Sequence, residues 1–148
     1  MKNWLLIFTL GASTLLLAKD KSYDEFLKNM KKMEGEYEVV KGHKSCSGGT
    51  LSLFNKSKVE EGFRLGHTIV FGALDTSGSE KSGDCAVDSK YSFTANSVTL
   101  MTEVSRCPAS LKSDEVVTTK TLRFKDGKIF YSVKENGFTC EFKKMARQ

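Results

Sequence analysis

Residues 116–143 read VVTTKTLRFK-DG-KIFYSVKE-NG-FTCEFK, three strand-like runs joined by two turn dipeptides. Asp126-Gly127 and Asn136-Gly137 both suit a two-residue type I′ turn, in which each central residue takes a positive φ. A turn at 126–127 sets Phe124 opposite Ile129, Leu122 opposite Tyr131 and Lys120 opposite Val133. A second at 136–137 sets Val133 opposite Cys140 and Tyr131 opposite Phe142. Both registers place Ile129, Tyr131 and Val133 on one face with Leu122, Phe124, Phe138, Cys140 and Phe142. The other face carries Thr119, Thr121, Arg123, Ser132, Lys134, Thr139, Glu141 and Lys143, with Phe130 as its one apolar exception. A slip of one residue inverts a strand's faces, so this agreement predicts an antiparallel meander with one buried side.

The same alternation extends upstream. Cys85, Val87, Tyr91 and Phe93 alternate on the way into a turn at Ala95-Asn96; Val98, Leu100, Thr102 and Val104 alternate on the way out. That turn pairs Phe93 with Val98, Tyr91 with Leu100 and Val87 with Val104. Strands are expected at 36–40 and 50–54. The stretch 59–74, broken by Gly62, Gly66 and Gly72, is one bent strand or two. The polar, glycine-rich 76–84 (TSGSEKSGD) and 108–115 (PASLKSDE) read as loops. Ahead of the strands, Tyr23, Phe26, Leu27, Met30 and Met33 form one helical stripe over 22–34, with Ser22 and Glu25 as a capping box and Gly35 as the stop. Its basic residues Lys28, Lys31 and Lys32 read as a solvated face, because the lysines of the chain are interspersed with acids.

The first residues, Met1-Lys2-Asn3, precede an apolar run from Trp4 to Leu17 that ends at Ala18. This pattern predicts a secretory signal peptide over 1–18, since the run is short for a membrane span. Residues 19–148 then form a single disulfide-bonded domain, secreted or periplasmic and no longer an integral membrane protein. The four cysteines are even in number and widely spaced, which favours two disulfides over a metal site. Cys85 and Cys107 bracket one hairpin, although the register puts Arg106 opposite Cys85, so a bridge needs a bulge or twist there. It closes a loop of about 20 residues and contributes about 3 kcal/mol in the chain-entropy account. By elimination Cys46 pairs with Cys140, joining the regions of the first and last strands. The expected fold is therefore all-β: an antiparallel up-and-down meander of about eight strands, preceded by one N-terminal α-helix. Closure into a barrel removes the exposed edges, and a curled open sheet or sandwich is the alternative.

A leading helix, then Gly35-Glu36-Tyr37 opening the first strand of such a meander, resembles the lipocalin group and its wider calycin relatives. Tyrosine stands where that group has the tryptophan of G-x-W, and Lys143 and Lys144 occupy the place of its arginine. The resemblance implies a small, largely apolar ligand held in the mouth of the barrel.

The residues offer little catalytic chemistry. Only His43 and His67 can act as bases near neutral pH, and no nucleophile elbow, phosphate loop or zinc-protease helix is present. An enzyme is not expected, nor a cofactor or a metal. Tyr91, Lys120 and Tyr131 are the candidate ligand-binding residues, because each falls among apolar neighbours on the inner face. Lys120 either snorkels at an open mouth or meets an anionic group inside. The expected function is binding of a small apolar or amphipathic ligand by a monomer. The alternative is a loop-mediated interaction or enzyme-inhibitor module of the cell envelope with a filled barrel. No nucleic-acid partner is expected.

Overall fold

The structure, a computed structural model, describes residues 21–57, 60–74 and 77–146. The expected signal peptide at 1–18 lies outside them. One helix, α1 (Lys21–Met33), precedes ten strands: β1 (Gly35–Gly42), β2 (Gly49–Ser57), β3 (Glu60–Leu65), β4 (Ile69–Phe71), β5 (Gly78–Ser82), β6 (Cys85–Thr94), β7 (Ser97–Ser105), β8 (Val116–Lys125), β9 (Lys128–Val133) and β10 (Phe138–Lys144). They form one antiparallel sheet in the order β4-β3-β2-β1-β10-β9-β8-β7-β6-β5. No helix among the described residues is long and apolar enough to cross a membrane.

The hairpin chemistry explains where the expected registers hold and where one shifts. Asp126 (φ 50°) and Gly127 (φ 73°) both take the left-handed conformation, and Leu122 faces Tyr131 as expected. At the next turn only Gly137 is left-handed (φ 66°), so the connection widens to residues 134–137. The Asn136 side chain accepts the Phe138 amide at 2.9 Å, and the Lys134 carbonyl accepts that of Gly137 at 3.4 Å. Val133 consequently faces Phe138 rather than Cys140, and Tyr131 faces Cys140 rather than Phe142. The shift is two residues, an even number, so every side chain stays on its expected face. The β6–β7 pairing matches the expected register throughout. Arg106 (φ 54°) then turns the chain so that Cys107 reaches Cys85, with a Cα separation of 4.2 Å.

Two other segments differ from expectation. Residues 60–71 form two strands, joined by a turn in which Gly66 has φ 52°. The supposed loop at 76–84 contains β5, which pairs with β6 from Gly78↔Ser89 to Ser82↔Cys85. All of β5 is exposed, and ladder hydrogen bonds rather than apolar burial define it. Its composition hides it from a search for alternation. Residues Ala109–Asp114 wind into a 3₁₀ helix where a plain loop was expected. Ser22 lies inside α1 instead of capping it.

The first and last strands do become neighbours: β1 pairs with β10, and Cys46–Cys140 links them at a Cα separation of 5.9 Å. Closure into a barrel does not follow. β4 and β5 are the two ends of the sheet and share no ladder. β4 is only three residues long and is followed by Gly72 and left-handed Ala73 (φ 52°). The inward positions of β5 are Gly78, Glu80 and Ser82, which offer no apolar surface to draw it against β4. The charged pair Glu80-Lys81 also discourages another strand from adding at this edge.

The curled sheet wraps a core plugged at one end by α1. Phe26 is fully buried and touches Phe63, Phe93 and Phe124 with ring centroids 5.5–6.0 Å apart. Tyr23 packs edge-on against Phe93, and its hydroxyl donates to Glu61 at 2.7 Å. Asn29 donates to the Ala95 carbonyl at 2.8 Å, fastening the helix to the β6–β7 turn. At the other end of α1 the Gly35-Glu36-Tyr37 segment has a clear physical role. The Tyr37 hydroxyl donates to the Met33 carbonyl at 2.7 Å, satisfying an orphan acceptor of the last helical turn. Lys144, opposite Tyr37 on β10, crosses Gly35 where a Cβ would lie 2.9 Å from its Cε, and donates to the Lys32 carbonyl at 3.2 Å.

Candidate binding site at the open seam

The break between β4 and β5 leaves a cleft of about 410 Å³. The β4 side supplies Val70 and Phe71; the β5–β7 side supplies Ser79, Glu80, Tyr91 and Leu100. Tyr91 spans this seam. Its hydroxyl donates to the Gly72 carbonyl at 2.5 Å, its amide donates to the Ser77 hydroxyl at 3.1 Å, and its ring stacks on Phe93. Burial pushes its phenol up to about 12, so it stays neutral under ordinary conditions. Tyr91 therefore positions the wall of the cleft and keeps the two sheet ends together without a ladder.

Lys120 lies on the inner face two strands from Tyr91, with Leu100 between them. At the usual strand spacing this places its backbone about 10 Å from that of Tyr91, within the span of an extended ligand. It is half-buried between Leu100 and Val133. No ion pair to Lys120 occurs among the described residues. Hydroxyl-bearing Ser89, Thr102 and Thr118 follow on the next inward row toward the long ends of β6–β8. The row beyond is apolar, formed by Val87, Val104 and a half-exposed Val116.

Tyr131 does not join this group. It is buried between the edges of Phe71 and Phe138, with centroids 6.3 and 5.9 Å away, and burial raises its phenol above the ordinary value. Of the three sequence candidates, the structure sets Tyr91 and Lys120 on one cross-strand row and assigns Tyr131 to the core.

A separate cleft of about 540 Å³ lies between α1 and the β2–β3 hairpin, with Leu27, Leu53 and Phe54 below Lys28 and Lys31. Sequence periodicity placed those lysines on the polar side of the helix; their closeness to β2 depends on how the helix docks. Among the other titratable groups, Asp88 pairs with Arg106 at 3.4 Å, and the His43 Nδ1 accepts the Ser45 amide at 3.1 Å. No cluster of three His, Cys, Asp or Glu side chains suited to a metal occurs among the described residues. All four cysteines are in disulfides, which form and persist in oxidising surroundings.

The class defined by this arrangement is a disulfide-linked, helix-plugged antiparallel sheet with one open seam. Comparison with protein-family models, curated proteins and solved structures finds no match.

Proposed function

We propose that this is an exported binding protein, secreted or periplasmic, that holds a small amphipathic molecule with an anionic head at the open seam. The observation that carries this is Lys120: an inward-facing, half-buried lysine beside Leu100 and Val133, with no carboxylate paired to it among the described residues. Such a charge gains most from an anionic partner that arrives with the ligand. The apolar part of the ligand lies along Tyr91, Leu100 and Phe71 in the seam. The core beneath is occupied by packed aromatic rings, so the ligand sits in a surface cleft rather than deep in a calyx as the lipocalin resemblance implies.

The test is titration of the oxidised protein with a fluorescent long-chain fatty acid. Lys120→Met is expected to weaken binding about tenfold, or about 1.4 kcal/mol, at unchanged thermal stability. A Lys28→Ala/Lys31→Ala variant should bind normally. Absence of binding, or loss only in the helix variant, overturns the seam assignment.

A filled interior also supports a second reading, an interaction module whose loops capture an envelope or extracellular protein. In that case replacing residues 108–115 removes partner capture while fatty acid binding is absent from the start.

A further inference from the structure

The lysines that look dispersed along the chain are gathered by the sheet. On the outer face, Lys125, Lys128 and Lys143 stand directly opposite one another across β8, β9 and β10. The next row holds Arg123, Phe130, Glu141 and Lys41 across β8, β9, β10 and β1. Five cations thus face two carboxylates, Glu141 and Glu38, in these two rows. Glu141 is already engaged by Lys128 at 2.7 Å. Like charges placed opposite one another on a sheet are destabilising, so the row of three lysines works against the fold that creates it.

The third row is made of hydroxyls: Thr139, Ser132, Thr121, Thr99 and Ser92, one from each strand from β10 to β6. They recur at the strand spacing of about 4.8 Å, close to the repeat of one sugar in an extended β-linked chain. Between the hydroxyls and the lysines lies a groove of about 710 Å³, lined by Phe130, Arg123, Thr121, Ser132 and Lys41 among others. Phe130 is the single apolar side chain in these three rows, and the Arg123 guanidinium sits 5.3 Å from its ring centre.

We infer that this outer face binds an acidic oligosaccharide, a chain of sugars bearing carboxylates. The cations meet the carboxylates, the hydroxyl row exchanges hydrogen bonds with ring hydroxyls, and Phe130 offers an apolar edge to a sugar C–H face. A flat membrane surface does not require a groove or a hydroxyl row. This site lies on the side of the sheet opposite the seam and does not depend on the seam's ligand.

The experiment is calorimetric titration of the full oxidised protein with β-1,4-linked hexamannuronate, with neutral cellohexaose as control. Saturable binding of the acidic chain, at least about tenfold tighter than the neutral one, supports the site. Lys125→Gln/Lys143→Gln should weaken it about tenfold while raising the melting temperature, because the opposed charges are relieved. Thr121→Val, which keeps the strand former and removes the hydroxyl, should weaken it without unfolding the sheet. No binding of hexamannuronate overturns the proposal. So does binding that survives the lysine variant, or a preference for phosphatidylglycerol vesicles over the oligosaccharide.

Discussion

At the scale of single residues, Gly42 shows how closely this fold depends on an atom that is absent. Gly42 has φ 149°, and a Cβ there would lie 2.8 Å from both the Cys140 Cα and the Cys46 Sγ. Gly42→Ala should cost about 2 kcal/mol or more through backbone strain and crowding, read as a lower urea midpoint with the disulfides intact. An unchanged midpoint would show that the β1–β10 junction relaxes more freely than its packing indicates. The phenols supply the second residue-level test. Tyr37 and Tyr91 are both pushed up to about 12 by burial, above their value in the unfolded chain. Above pH 10 the unfolded state loses these protons first, so stability holds below that point and falls as pH rises from 10 toward 12. Alkaline unfolding monitored by phenolate absorbance should show this fall, and Tyr91→Phe should reduce its steepness. Sequence spacing identifies Tyr91 as inward-facing, but its bond to Gly72 joins residues on different sheet segments and leaves no local trace.

At the scale of elements, α1 depends on what it covers. A helix of 13 residues is marginal alone in water, and tertiary packing of its apolar stripe provides the stability it lacks. Phe26→Ala removes the ring that meets Phe63, Phe93 and Phe124 and should cost about 3–5 kcal/mol. Loss of helical ellipticity before the sheet melts is the expected signature; a single transition with no more than a small shift would mean that the plug is dispensable. The helical stripe itself is legible in Tyr23, Phe26 and Met30, because period 3.6 survives in a short window. β5 is not legible, since GSEKS has neither alternation nor β-branched residues and exists as a strand only because β6 offers it a ladder. The second hairpin is an intermediate case. Asn136-Gly137 signals a turn correctly, but the Asn136 side chain bonds to Phe138, and this widens the loop to four residues.

At the scale of the whole molecule, the two disulfides constrain different amounts of chain. Cys46–Cys140 spans 94 residues and Cys85–Cys107 spans 22. Chain entropy assigns about 4–5 kcal/mol to the first and about 3 kcal/mol to the second. Cys46→Ser/Cys140→Ser should therefore destabilise more than Cys85→Ser/Cys107→Ser in denaturant titrations, and the reverse order would point to structure persisting in the unfolded chain. Both pairings are accessible to sequence logic, one from the hairpin it brackets and the other by elimination. The site is less accessible. Lys120 and Tyr91 can be placed on the inner face from their register, whereas the seam beside them exists only because β4 and β5 remain apart. The outer cationic rows are only partly legible: Lys125 and Lys128 flank the Asp126-Gly127 turn, whereas Lys143 meets Lys128 only in the shifted β9–β10 register. The strands, their buried faces and most turns follow from the sequence by itself, because alternation and positive-φ residues act over a few neighbours. Tertiary structure alone decided where the sheet stops, how the helix plugs it and which charges meet, because those outcomes depend on contacts between distant residues that compete only once the chain has folded.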